Sequence, residues 1–185
     1  MGMAISSRVV GILRQNAKFD DWWECENALE IPLFNNIYLP VIFMNFEPQF
    51  DLTFISEADE ALECFLKLGE ADKNLISSLA FKNCKAYMNA VGLDEVDARL
   101  REIKTEEEIW TFIYPKEIYV SRRRYHDKDV YVQIACECEW EQEHGLQLVF
   151  RQGKKLTRVS DQDGHVTEAD AYGKPDNEDE LLSKF

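Results

Sequence analysis

Positive charge, histidine and long apolar runs are all scarce in this chain, and each shortage excludes something. It holds 35 Asp and Glu against 21 Lys and Arg, a formal net charge of −14. Nucleic acid is densely negative, so a protein this acidic would need a local basic stripe to hold it. The basic cluster Arg122, Arg123, Arg124 is too short to be one. No stretch reaches the roughly 20 apolar residues of a membrane-spanning helix. The longest, Ile37 to Phe46, is strand-sized and interrupted by Pro40 and Asn45. The first residues lack the charged and apolar regions of a secretion signal. Gly2 and Ser6 match the spacing of a myristoylation pattern, but that pattern is loose. The five cysteines (Cys25, Cys64, Cys84, Cys136, Cys138) are odd in number and scattered, so no secreted disulfide framework is written here and a reducing cytoplasm is expected. None of the common nucleophile, phosphate-loop, zinc-protease or dinucleotide fingerprints occurs.

What is present is the material of a folded core. An apolar content of 45% and an aromatic content of 12% over 185 residues predict one globular domain, placed at residues 1–173. The stretch V-Y-V-Q-I-A-C-E-C-E-W-E-Q-E-H-G-L-Q-L-V-F, residues 130–150, alternates apolar and polar residues, breaks at a polar loop, and alternates again. That pattern specifies an antiparallel hairpin with Val130, Val132, Ile134, Cys136, Cys138 and Trp140 on its buried face. The expected register sets Trp140 opposite Leu146 and Cys136 opposite Phe150, and the glutamate face is expected to stay wet. Ile118 to Val120 before it and Leu156 to Val159 after it complete a meander. Near the N-terminus a short helix over Val9, Ile12 and Leu13 is expected, then a hairpin from Leu29–Leu33 and Tyr38–Phe46. Two helices follow, one capped at Ser56 and one running from about Asp72 to Gly92. Asp94 to Glu108 reads as a loop and one short helix. Without further strand–helix alternation no parallel sheet is expected. The fold class is therefore α+β: an antiparallel sheet built from the N-terminal hairpin and the C-terminal meander, around a central helical block. Residues 174–185 are expected to form an acidic, mobile tail.

Several residue groups carry chemistry worth weighing. Cys136-x-Cys138 with His144 offers zinc-like ligands, but the spacing is not that of a zinc knuckle and both sulfurs fall on the core face, so no metal or cofactor is expected. Glu137, Glu139, Glu141 and Glu143 form a carboxylate array on the outer face and in the loop, with Arg151 diagonal to Glu137 for surface pairing. Acid–base work would require one of them to be desolvated. His144 stands before Gly145 beside two acids, either oriented for proton transfer or simply closing the turn. Trp22 and Trp23 are adjacent in D-D-W-W, so on a strand they point to opposite faces.

The run C-E-W-E-Q-E-H-G-L-Q-L-V-F-R-Q-G, followed by V-S-D-Q-D-G-H-V-T, resembles a family of small, soluble, mostly bacterial proteins of unknown function. The likeness is clearest from Ile118 to Tyr172, with Trp140, Glu143, His144 and Gly145 at its centre and a looser echo in D-D-W-W. That resemblance implies no reaction and no catalytic residues. Small acidic proteins of this kind also look like immunity proteins that neutralise toxins.

The expected function is that of a cytoplasmic, non-enzymatic binding protein whose acidic surface meets a basic protein partner. Glu137, Glu139, Glu141, Glu143 and His144 would supply the surface, and Trp22 or Trp23 an exposed anchor. No nucleic acid and no membrane are expected as partners, and the pattern leaves the oligomeric state open. The alternative is a hydrolase or metal-dependent enzyme centred on the His144 loop.

Overall fold

A computed structural model describes residues 4–92 and 98–183. The myristoylation pattern's Gly2, the start of the expected 94–108 loop and the final two residues of the expected tail lie outside the described residues. Among the described residues, ten strands and four α-helices follow in order: β1 (Ala4–Ser7), β2 (Gly11–Gln15), β3 (Trp23–Cys25), β4 (Leu29–Ile31), β5 (Ile37–Leu39), β6 (Val41–Phe43), α1 (Phe54–Phe65), α2 (Glu70–Val91), α3 (Ala98–Arg101), β7 (Ile113–Arg122), β8 (Val130–Cys138), β9 (Leu146–Arg151), β10 (Lys155–Ser160) and α4 (Glu168–Tyr172). Eight strands form one sheet in the order β1-β2-β3-β6-β7-β8-β9-β10, and β4-β5 stands apart as a two-stranded ribbon. The fold is α+β with a mostly antiparallel sheet. Among the described residues, no helix is long and apolar enough to cross a membrane.

Several expectations are corrected by local chemistry. The N-terminal segment is not helical: β1 and β2 form a hairpin with Ile5 opposite Leu13, and Leu13 is the fully buried member. The helix-like spacing of Val9, Ile12 and Leu13 is overridden by pairing with β3. Pro32 does not sit within a strand but opens a 3-10 turn, where its missing N–H costs nothing. The expected strand from Tyr38 to Phe46 divides at Pro40, so that β5 completes the ribbon while β6 enters the large sheet. There β6 pairs with β7 in parallel, the helical block serving as the crossover, so one parallel pair exists where none was expected. Helix α1 starts at Phe54 after Thr53, which places Ser56 inside it rather than at its cap.

Helices α1 and α2 cover one face of the sheet. On α1, Phe54, Ala58, Ala61, Leu62 and Phe65 recur at helical spacing and are buried against the β-sheet. They meet Phe43, Ile118, Val120, Val132, Ile134, Cys136, Leu148 and Phe150 in one apolar cluster. Asp59, also on α1, turns to the first hairpin and accepts from Ser7 Oγ and from the backbone N–H of Arg8 (2.8 Å). The C-terminal meander forms as expected, but Cys136 lies opposite Leu146, and Phe150 opposite Val132. The difference is four positions along β9. An even slip preserves the faces, so the buried stripe survives a misjudged loop length.

The opposite face of β8 to β10 is not wet along its length. Tyr131, Gln133, Ala135, Gln147, Val149 and Thr157 are all buried there. The chain after β10 is tied down along this side: Gln147 donates to the carbonyl of His165 (3.0 Å), Thr157 to that of Val166 (3.0 Å) and Arg158 to that of Thr167 (2.7 Å). Past Gly173, the buried Asp179 accepts the N–H groups of Ala169, Leu181 and Leu182. Of the expected glutamate face, Glu137 is exposed.

Candidate functional site

Two regions gather polar chemistry. The first is the β8–β9 hairpin loop singled out from the sequence. Gly145 adopts φ +64°, and a Cβ there would lie 2.5 Å from the Cys136 carbonyl oxygen, so glycine is required by space as well as by backbone angle. Glu141 accepts the backbone N–H groups of Glu143 (3.0 Å) and His144 (3.2 Å). Burial opposes its negative charge, but these two N–H groups hold its carboxyl below the usual range. Its lone pairs thus serve the turn. His144 Nδ1 lies 3.6 Å from Glu141, and its side chain is 61% exposed, so the imidazole itself is open to solvent.

Glu137 and Glu139 are each paired, while Glu143 is exposed at the loop. Glu137 meets Lys116 at 2.9 Å, and not Arg151 as the diagonal register suggested, because Arg151 pairs with Asp129 at 2.7 Å. Glu139 accepts from Tyr114 Oη at 2.6 Å and lies 3.7 Å from Arg99. Cys136 and Cys138 are buried in the core, and burial pushes the Cys138 thiol up to about 12 and raises that of Cys136 as well. Among the described residues no three His, Cys, Asp or Glu side chains converge in a metal-holding arrangement.

The tryptophan pair splits as alternation requires. Trp23 is fully buried and donates from Nε1 to the Phe46 carbonyl (3.0 Å), so it is unavailable as a surface anchor. Trp22 is half-buried on the outer face, stacked against Phe19 (4.9 Å between ring centroids) and edge-on to Tyr119 (6.0 Å). Tyr119 is paired across the sheet with Gln133, four residues before Glu137 on β8. Trp22 and Glu137 therefore share a face but stand on the order of 13 Å apart along it.

The second region was not singled out from the sequence. Arg122, Arg123 and Arg124 run off the end of β7, and alternation sends the first two to opposite faces. Arg122 reaches the helical side, pairing with Asp51 and Glu57 (both 2.7 Å) over the Phe54 ring. Arg123 reaches the other side and is almost wholly buried. It donates to Asp170 through Nε and Nη2, to Asp176 through both terminal nitrogens (3.0 and 2.7 Å), and to Asp127 (2.9 Å). Burial works against its charge, but the three carboxylates outweigh that cost and raise its pKa. Arg123 in turn holds the Asp176 carboxyl below its ordinary value. Tyr131 Oη also donates to Asp127 (2.8 Å). The signal in the sequence was the arginine run itself: at a strand end, consecutive arginines must serve different faces.

The family described as "Domain of unknown function (DUF6985)" matches residues 11–166. The chain belongs to this family. The matched span takes in the paired tryptophans, the hairpin loop, Arg123 and Asp127, and stops before α4, so Asp170 and Asp176 of the second region lie outside it. Neither a curated protein nor a solved structure matches the chain.

Proposed function

We propose that this protein is a non-enzymatic binding protein whose acidic outer surface meets a basic protein partner, of the kind an immunity-type protein would recognise. One observation carries the reading: the open part of the outer sheet face combines a half-exposed aromatic group, Phe19–Trp22–Tyr119, with the exposed carboxylate of Glu137. Aromatic anchors beside screened charges are the composition of protein interfaces. The excess of 35 acids over 21 bases favours a cationic partner and fast, salt-sensitive association. Glu143, exposed at the hairpin loop, extends the charged rim, and His144 lies beside it. The five cysteines form no disulfide, in keeping with a reducing, cytoplasmic setting.

The test is affinity capture from the host's own lysate with the wild type and a Trp22→Ala/Glu137→Lys double variant. The expected result is a basic protein held by the wild type, shed as salt rises, and not retained by the variant. Equal retention by both, or retention indifferent to salt, overturns the reading.

A further inference from the structure

The arginine run that ends β7 also lines a cavity of about 550 Å³. We propose that this cavity is an anion site for the phosphate group of a small molecule. It does not depend on the acidic face or on the binding role proposed for it. The walls come from separate parts of the chain: Arg124 and His126 from the β7–β8 loop, His165 from the segment after β10, and Lys174 from the end of α4. Four side chains that can carry positive charge thus converge on one space in a protein of net charge −14.

The cations differ in how far they are already neutralised. Arg122 and Arg123 line the cavity but are committed to carboxylates at 2.7 Å. Arg124 is not: it donates to the neutral Asn45 amide, its nearest carboxylate, Asp21, is 3.9 Å away, and its side chain is 57% exposed. Lys174 lies over the Tyr172 ring, 5.2 Å from the centroid, which leaves its ammonium free to accept an anion. Asp170 is the acid in the wall, and Arg123 donates to both its oxygens, which offsets part of its charge. His126 faces Asp170 (3.5 Å) and Asp176 (3.6 Å) and completes the same lining. A phosphate dianion suits this set because it accepts several charge-assisted hydrogen bonds at once, and a guanidinium and an ammonium are its usual partners.

The contrast with a neighbouring cavity sharpens the assignment. On the helical side, a cavity of about 280 Å³ is lined by Glu57, Glu60, Glu63 and Asp129 against Lys154. The sheet therefore separates an acidic hollow from a basic one, and the basic one has the volume of a small-molecule site. At its rim Tyr125 is 88% exposed, placed to cover whatever the phosphate carries.

The test follows the imidazole resonances of His126 and His165 by NMR in the full chain, titrating inorganic phosphate, adenosine 5′-monophosphate and, as the uncharged control, adenosine. Phosphate and the monophosphate should shift both histidines, adenosine should not, and a monophosphate bound more tightly than phosphate would identify an organic ester as the favoured source. Arg124→Gln and Lys174→Gln should each weaken the response by about tenfold without lowering the melting temperature, since each removes one charge-assisted contact. The proposal fails if neither anion shifts the histidines. It also fails if potassium chloride at equal ionic strength shifts them equally, or if both variants respond like the wild type.

Discussion

Arg122 and Arg123 are neighbours in the chain and hold opposite sides of the molecule. The first ties the strand end to α1 through Glu57 and to the loop before it through Asp51; the second ties it to the segment around α4 through Asp170 and Asp176. The sheet end is therefore clamped from both faces at a single peptide bond. The two clamps differ in burial, the Arg123 side chain being 2% exposed and that of Arg122 19% exposed. Losing one partner of a buried ion cluster leaves the others uncompensated, and that sets the size of the effect.

Arg123→Ala should accordingly destabilise the protein by about 3–5 kcal/mol, because three carboxylates, two of them largely buried, lose their counter-charge. Arg123→Lys should recover only part of this, since an ammonium cannot serve Asp170 and Asp176 with paired donors. Urea unfolding of the two variants against the wild type reads the difference. A lysine variant as stable as the wild type would show that the fork geometry contributes nothing.

The same clamps predict an acid limb. Arg123 holds Asp176 below its ordinary value, Arg122 does the same for Glu57, and the turn N–H groups hold Glu141 down against its burial. A carboxylate with a lowered folded-state pKa contributes stability that is complete above its unfolded value, about 4, and is lost as pH falls through the folded one. Stability measured by denaturant should fall as pH drops below about 4. Asp176→Asn should flatten that slope, and an unchanged slope would remove Asp176 from the account.

How much of this was legible in the sequence depends on the length scale of the cause. The 130–150 hairpin was readable because a two-residue period over a whole strand has one solution, and even a loop misjudged by four positions left every side chain on its proper face. The β1–β2 hairpin was not, because Val9, Ile12 and Leu13 suit a helix and only pairing with β3, from beyond Asp20, decides otherwise. The parallel β6–β7 pair depends on contacts between Val41 and Ile118, far beyond any local pattern. At the site level, alternation separated Trp22 from Trp23 correctly. The Arg123 cluster was invisible because its acids, Asp127, Asp170 and Asp176, are separated in the chain and read singly as solvated charge.

In the hairpin loop, the acid and the imidazole should behave differently. Glu141→Ala removes the acceptor for two turn N–H groups and should cost about 1–3 kcal/mol, whereas His144→Ala should stay within about 0.5 kcal/mol, as exposed substitutions do. Thermal unfolding of both variants settles the comparison. A large loss at His144 with none at Glu141 would reverse their assigned roles.

Gly153 should be the least replaceable of the glycines at positive φ. With φ +63°, its added Cβ would lie 1.8 Å from the Ala61 carbonyl oxygen on α1, a backbone atom that cannot step aside. Gly11 has φ +78° but open space around it. Gly11→Ala should therefore cost only the left-handed backbone penalty, about 1–2 kcal/mol. Gly153→Ala must in addition push α1 off the β9–β10 turn, raising the cost above about 4 kcal/mol. Equal melting temperatures for the two variants would mean that α1 shifts freely over the turn.

The buried thiols predict an alkaline limb of opposite sign to the acid one. Burial raises the pKa of Cys136 and lifts that of Cys138 to about 12, so the folded state resists forming thiolates that the unfolded chain forms near pH 8.5, a value of about that size for a free thiol. Their contribution to stability is complete below the unfolded value and fades as pH rises above it, because the unfolded state loses its protons first. Cys136→Ala combined with Cys138→Ala should lower stability at neutral pH through lost packing, yet flatten its decline between about pH 8 and 10. Alkylation should follow the same burial: in the native protein the half-buried Cys64 should label well before Cys84, Cys136 and Cys138, all three of which should label together on unfolding. Early native labelling of Cys136, followed by mass spectrometry, would show that the sheet between β7 and β9 opens locally rather than with the whole fold.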